Sequence, residues 1–148
     1  MGVKRIIKFK DIKVSTDNMT ANVSMKELAN RFNKAQYELD SAIMTSMEPY
    51  MPRREGTFIN TTKAMSAALA GTGKVIAAAP PYGRFLYEGK VMVGEKSRSA
   101  WAKKGEKKVV TGQNLTYSGG GQAHWFDAAK AADGDEWVKL VKKTAGGG

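Results

Sequence analysis

The sequence predicts an α+β fold: a long N-terminal helix packed across a small, mainly antiparallel sheet, with short C-terminal helices and a projecting basic β-hairpin. Three observations predict it. Ser24 to Pro49 is the only long uninterrupted helical pattern. Its apolar residues Leu28, Phe32, Ala35, Leu39, Ile43 and Met47 recur in steps of three or four, one stripe of a 3.6-residue helix. Val91–Val93 and Lys108–Thr111 are β-branched runs that can pair around a polar, glycine-containing tip.

Each element has its own grounds. Val3 to Val14 mixes Ile6, Ile7, Phe9, Ile12 and Val14 with lysines, a basic strand region whose alternation slips near Lys10 and Asp11. Ser15 to Val23 is polar and is expected as the loop into the long helix. Ser24 and Glu27 have capping-box spacing, and Pro49 and Pro52 stop the helix because neither donates an N–H. The helix so bounded spans roughly 38 Å at ~1.5 Å per residue. Lys26, Asn30, Asn33, Lys34 and Asp40 fall on its polar side.

Arg53 to Gly56 is a turn, with Gly56 expected in a conformation that a Cβ would penalise. A second helix follows over Thr57 to Leu69, its face formed by Phe58, Thr61, Ala64, Met65 and Ala68, and Gly71-Thr72-Gly73 ends it. Lys74 to Ala79 is a short β-like run, Pro80-Pro81 breaks it, and Tyr82 to Glu88 makes two turns of helix. Leu115 to Tyr117 is a further candidate strand, and Gly119-Gly120-Gly121 a flexible joint. Trp125–Ala132 and Asp135–Thr144 are two short helices, the second with Lys142 and Lys143 where cations suit the helix dipole. The 148 residues are expected as one domain, 1–148, with residues 145–148 a flexible tail.

The net charge of +10 is concentrated. Residues 1–14 carry +4 and residues 90–120 carry +5, leaving +1 for the rest. A localised excess points to a polyanion or an acidic partner surface. The candidate interface or DNA-channel residues are therefore Arg98, Trp101, Lys103, Lys104, Lys107 and Lys108. Between Gly94 and Lys108 the only large apolar group is Trp101, so burial within the tip cannot offset its ordering entropy. The arm, Lys90 to Tyr117, is expected to order against a partner. A protein partner makes Trp101 the costly residue; DNA makes the lysines a salt-dependent, sequence-indifferent set. Hairpin arms commonly lock rings, which favours the protein.

Composition and motifs exclude other classes. With no cysteine there is no disulfide and no thiolate metal site, as suits a reducing cytoplasm. No segment approaches the ~18 apolar residues of a membrane span, and Met1 to Val14 lacks the continuous apolar run of a signal peptide. Gly73-Lys74 is not a phosphate loop, since Ala68 and Val75 stand where Gly and Ser or Thr are needed. His124, the only histidine, lies near Asp127 but has no nucleophile elbow or oxyanion loop. Asp133, Asp135 and Glu136 lack calcium-loop spacing. No catalytic, cofactor-binding or metal-ligating residues are assigned.

Three clusters in order carry a resemblance. Pro52 to Thr61 (PRREGTFINT) resembles a segment with proline, three residues, glycine, a hydrophobic residue and then Ser or Thr. Ala79 to Gly89 (APPYGRFLYEG) resembles a "tPYAr..Y..G" segment, with Gly83 where Ala is usual. His124 to Lys130 (HWFDAAK), followed by Trp137, resembles a "WF..AK…W" ending. Together they are similar to the minor capsid or tail-completion (head–tail joining) proteins of long-tailed bacteriophages, over roughly Ser24 to Val141. The resemblance implies a non-enzymatic virion protein, made in the bacterial cytoplasm and placed at the neck as a homo-oligomeric, hexameric ring. It further implies head-connector and tail-tube partners and non-specific contact with genomic DNA in the channel. The alternative from the residues alone is a basic nucleic-acid-binding module acting as a monomer. The aromatic residues of the clusters (Tyr82, Phe85, Tyr87, Trp125, Phe126 and Trp137) are expected to be fold-makers.

Overall fold

A computed structural model describes residues 7–54 and 56–146. Residues 1–6 of the expected basic strand, Glu55 of the expected turn, and Gly147 and Gly148 of the tail lie outside the described residues. The fold is α+β, in the order β1 (Ile12–Thr16), β2 (Met19–Val23), α1 (Lys26–Met47), α2 (Thr57–Leu69), α3 (Gly83–Glu88), β3 (Lys90–Gly94), β4 (Lys108–Asn114) and α4 (Trp125–Ala145). The expected small sheet is two separate antiparallel hairpins, β1–β2 and β3–β4.

The β1–β2 hairpin begins within the expected strand region, at Ile12, and runs on through Ser15–Val23, the segment expected as a loop, because Asp17-Asn18 turns the chain and Thr16 pairs with Met19. Cross-strand hydroxyls add to it: Ser15 Oγ lies 3.1 Å from Thr20 Oγ1. Asp11, where the alternation slips, has a structural duty. Its Oδ1 accepts from the Met25 N–H at 2.8 Å and so supplies the helix start that Ser24 was expected to supply. Ser24 makes only a 3.4 Å contact with Lys26 N, and no side chain of the helix's own N-cap bonds to it. At its other end α1 runs into a 3-10 turn, Glu48–Tyr50, whose first turn tolerates Pro49.

The surface on which α1 lies is α4. The two run antiparallel: Trp137 Nε1 donates to Ser46 Oγ at 3.1 Å and, further along, Thr144 Oγ1 donates to Glu38 Oε2 at 2.6 Å. The two expected C-terminal helices are this one helix, continuous through Gly134. A glycine costs a helix about 1 kcal/mol relative to alanine. Ala129 and Trp137, buried on either side of it, hold the helix together. The shared core comprises Met44, Met47, Met51, Ile59, Trp125, Ala129 and Trp137, with Leu39 and Ile43 packed at its border.

The buried face of α1 is rotated from the expected stripe. Phe32 is exposed, whereas Asn33 and Asp40, assigned to the polar side, are buried. Asn33 Nδ2 donates to Ile7 O at 2.8 Å and its Oδ1 accepts from Ile7 N at 2.9 Å, tying the N-terminal segment to the helix. Asp40 Oδ2 accepts from Gly71 N at 2.8 Å and Gly73 N at 3.0 Å, while Oδ1 accepts from Gln36 Nε2 at 2.8 Å. The Gly-rich turn after α2 is therefore fastened to α1 by one carboxylate.

The face of α2 is likewise turned. Ile59, Thr62 and Ser66 are buried, while Thr61, Ala64, Met65 and Ala68 are exposed. The hydroxyls inward have partners in residues 74–79, which form no strand. Ser66 Oγ donates to Ile76 O at 2.7 Å and accepts from Ile76 N at 2.9 Å, and Thr62 Oγ1 accepts from Ala79 N at 3.2 Å. Side chains thus supply the partners that a neighbouring strand would have supplied.

Two glycines stand at close approaches. A Cβ on Gly83 would lie 2.5 Å from the Ala78 carbonyl carbon, which accounts for glycine at this position. Gly121, at φ +103°, would bring a Cβ within 2.7 Å of Met51 O. Of the three glycines expected as a loose joint, Gly121 is thus held close to the Met51–Pro52 backbone while Gly120 faces open space, and Gln122 N donates to Tyr50 O at 2.9 Å. Leu115–Tyr117 is no strand, but Leu115 N bonds Gly89 O at 2.9 Å and the Tyr117 hydroxyl donates to Leu86 O.

Asp40 offers the sharpest check on this packing. Asp40→Ala strips the Gly71 and Gly73 N–H groups of their acceptor and should cost about 2–4 kcal/mol, read as a lower urea midpoint. Asp40→Asn, keeping one acceptor oxygen, should fall between that variant and the unsubstituted protein. A midpoint unchanged by Asp40→Ala would contradict the fastening.

Candidate functional site

The basic arm is built on β3 and β4, whose register pairs Gly94 with Lys108, Val93 with Val109 and Met92 with Val110. It shifts between Lys90 and Met92, so the hairpin bends at its base. Thr111 Oγ1 donates to Val91 O at 2.8 Å across the bend.

Residues 95–107 form the tip, and a single carboxylate organises them. Glu106 Oε1 accepts from Lys96 N at 2.7 Å and Ser97 N at 2.6 Å, and Oε2 accepts from Lys103 N at 2.9 Å. Gly94 N bonds Ser99 O at 2.8 Å and Arg98 N bonds Gly94 O at 2.9 Å, with Arg98 at φ +54°. The backbone N–H of Ser97, then that of Lys103, hold the Glu106 carboxyl down at about 2, from an ordinary 4.5. Expected order by burial alone counted only Trp101. The tip has a defined conformation for a polar reason, three N–H groups converging on one anion.

All six residues singled out from the sequence are exposed. Lys103, Lys104 and Lys107 surround a hollow of about 600 Å³ together with Lys96, Glu95 and Glu106. Lys108 stands apart, at the start of β4, on the wall of a larger apolar groove. Trp101 is 88% exposed, the most exposed large apolar side chain described. No described carboxylate forms an ion pair with Arg98 or with any of these four lysines. The hollow offers cations on a fixed scaffold, suited to carboxylates or phosphates, and the Trp101 indole is a separate exposed apolar group on the same tip.

The other place where titratable groups gather is the start of α4. His124, at φ +51°, has Glu88 Oε2 3.9 Å from Nε2 and Asp127 Oδ2 3.6 Å from Nδ1, and its ring packs edge-on to Tyr87. Burial, then the Asp127 and Glu88 carboxylates, raises the Tyr87 hydroxyl above its ordinary value. The His124 backbone N–H donates to Tyr87 O at 2.9 Å, so the cluster joins α3 to α4. Among the described residues no group of three or more His, Cys, Asp or Glu can hold a metal ion. No described helix is long and apolar enough to cross a membrane.

The signal that sequence reasoning missed is Glu106, one acid in a lysine-rich run whose partners are backbone groups. Tyr82, expected in the core, is 66% exposed on the apolar groove. No family model, curated protein or solved structure matches the chain.

Because Glu106 titrates lower when the tip is folded, its contribution is complete above an ordinary carboxyl value and disappears as pH falls toward about 2. The protection of the Lys96, Ser97 and Lys103 amides, measured as the slowing of exchange relative to the unfolded chain at the same pH, should therefore be high at pH 6 and fall progressively below pH ~4.5. Glu106→Gln should give the fast pattern already at neutral pH, with trypsin cleavage after Lys103, Lys104 and Lys107 several-fold faster. Equal exchange and cleavage in both proteins would remove Glu106 from the tip's architecture.

Proposed function

We propose that this chain is a structural virion protein of a tailed phage, a tail-completion or head–tail joining subunit that forms a homo-oligomeric ring at the neck. The ring is hexameric, sits between the head connector and the tail tube, and carries out no reaction. One observation carries the proposal: two two-stranded hairpins stand on a core made of helices. Every residue of β1 is exposed, and the β3–β4 tip carries an exposed indole and unpaired lysines. An isolated two-stranded hairpin is marginal in water, and exposed strand edges invite pairing with another chain. Such hairpins gain their partners from neighbouring subunits. The order of the three sequence clusters, as found in the resembling phage proteins, supports the same reading.

Charge adds a condition. Six copies of a chain at +10 repel one another unless acidic neighbours or DNA lie close. The arm therefore meets an acidic protein surface or, non-specifically, the genome in the channel. Lys103, Lys104 and Lys107 around one hollow also fit the second reading, a basic monomer that binds nucleic acid.

Light scattering with purified connector and tail-tube proteins separates the two. The joining protein should enter a ring-sized species in their presence, and a class-averaged micrograph of labelled virions should place it at the neck. Trp101→Ala should reduce incorporation at least tenfold, whereas Lys103→Ala or Lys104→Ala alone should change it less than about threefold. A monomer that binds short duplex DNA tightly, with a steep salt dependence, and never joins a particle would establish the second reading instead.

A further inference from the structure

Residues from the stretches 52–61 and 79–92, together with Ala100, Lys108 and Leu115, converge on one groove of about 710 Å³, distinct from the tip hollow. Its floor includes Phe58 from α2, Pro80-Pro81 and Tyr82 before α3, Phe85 within α3, Met92 from β3 and Leu115 after β4. Among the described residues every charged group on its wall is a cation: Arg54, Lys90 and Lys108. Among the described residues none of the three pairs with a carboxylate, and the Lys90 ammonium donates instead to the neutral Asn114 side chain.

We propose that this groove binds an extended segment of a partner protein in which apolar side chains are flanked by carboxylates. The apolar floor supplies the area, and Tyr82, two-thirds exposed, supplies a rigid aromatic wall with little conformational entropy to lose. Proline- and aromatic-lined grooves hold extended peptides by the same chemistry. The three cations set the sign of what flanks the apolar residues, since a segment with like charges there is repelled. Charge also selects against a second copy of this chain. Of the exposed apolar residues of its own hairpins, Ile12 and Val14 flank Lys13 with Asp11 beside them, Trp101 precedes Lys103 and Lys104, and Val110 follows Lys107 and Lys108; Met19, near Asp17, is the exception. The groove therefore serves a different protein, and the inference stands whether or not the chain forms a ring.

Three fluorescein-labelled peptides test it on the full chain by anisotropy: a leucine–phenylalanine core flanked by glutamates, the same core flanked by lysines, and a serine–glycine core flanked by glutamates. The first should bind at least tenfold more tightly than either other peptide. Tyr82→Ala, at an exposed position, should weaken it about tenfold while leaving thermal unfolding unchanged. Arg54→Glu combined with Lys108→Glu should reverse the preference toward the lysine-flanked peptide. Equal binding of all three, binding indifferent to these variants, or no binding by any of them would overturn the proposal. So would concentration-dependent self-association abolished by Tyr82→Ala, which would make the occupant a second copy.

Discussion

The structure depends on the burial of one indole. Trp125, the largest fully buried side chain, opens α4 and packs edge-on against Phe58 of α2 at 5.6 Å and Tyr87 of α3 at 4.8 Å. Its Nε1 donates to Ala77 O at 2.8 Å, within the irregular segment between those two helices. An aromatic of this size contributes both area and directional ring contacts, and its one polar atom must find a partner when buried. Here the partner is a backbone carbonyl that no strand satisfies. Removing the indole would open a cavity where three helices meet and orphan that carbonyl together.

From that point the molecule extends in two ways. Along α4, Trp137 continues the contact with α1 and stacks on Phe126 at 6.2 Å. Around α2 and α3, hydrogen bonds from Asp40, Thr62 and Ser66 hold irregular backbone against the helices. The core is thus small and aliphatic–aromatic, rich in the adaptable side chains Met44, Met47 and Met51, and bordered by polar fasteners. Both hairpins lie outside it. What the helices bury among themselves stabilises the fold, and the hairpins stay exposed outside it.

The elements legible in the sequence were those with a local signature. The long helix, the β3–β4 hairpin, the short helix after Pro80-Pro81 and the aromatic start of α4 follow from periodicity and breakers. The α+β class follows with them. What was hidden depends on partners far along the chain. Asn33 and Asp40 look solvent-facing until residues 26 to 33 positions away present backbone groups to them. Thr62 and Ser66 make the inner face of α2 the less apolar one for the same reason. The β1–β2 hairpin had a local sign, Asp17-Asn18 between β-favouring residues, that its overall polarity obscured. Gly134 was a false breaker because tertiary packing outweighs one residue's propensity. In the candidate site, charge alone marked the arm and its lysines. Neither the Glu106 anchor nor the apolar groove can be read locally, since backbone donors leave no sequence trace and the groove is assembled from stretches spread between Pro52 and Leu115.

The central proposal is that the arm of this chain is a docking element for a protein neighbour in an assembled particle. Its three tryptophans allow a direct measurement, because Trp125 and Trp137 are buried and Trp101 is 88% exposed. Acrylamide quenching should therefore act mainly on Trp101 in the free subunit and be absent from that component in a Trp101→Phe control. On joining the connector and tail-tube assembly, the quenchable fraction should fall nearly to the control's level. A fraction that stays unchanged in fully assembled particles would show the indole still in water and contradict the account.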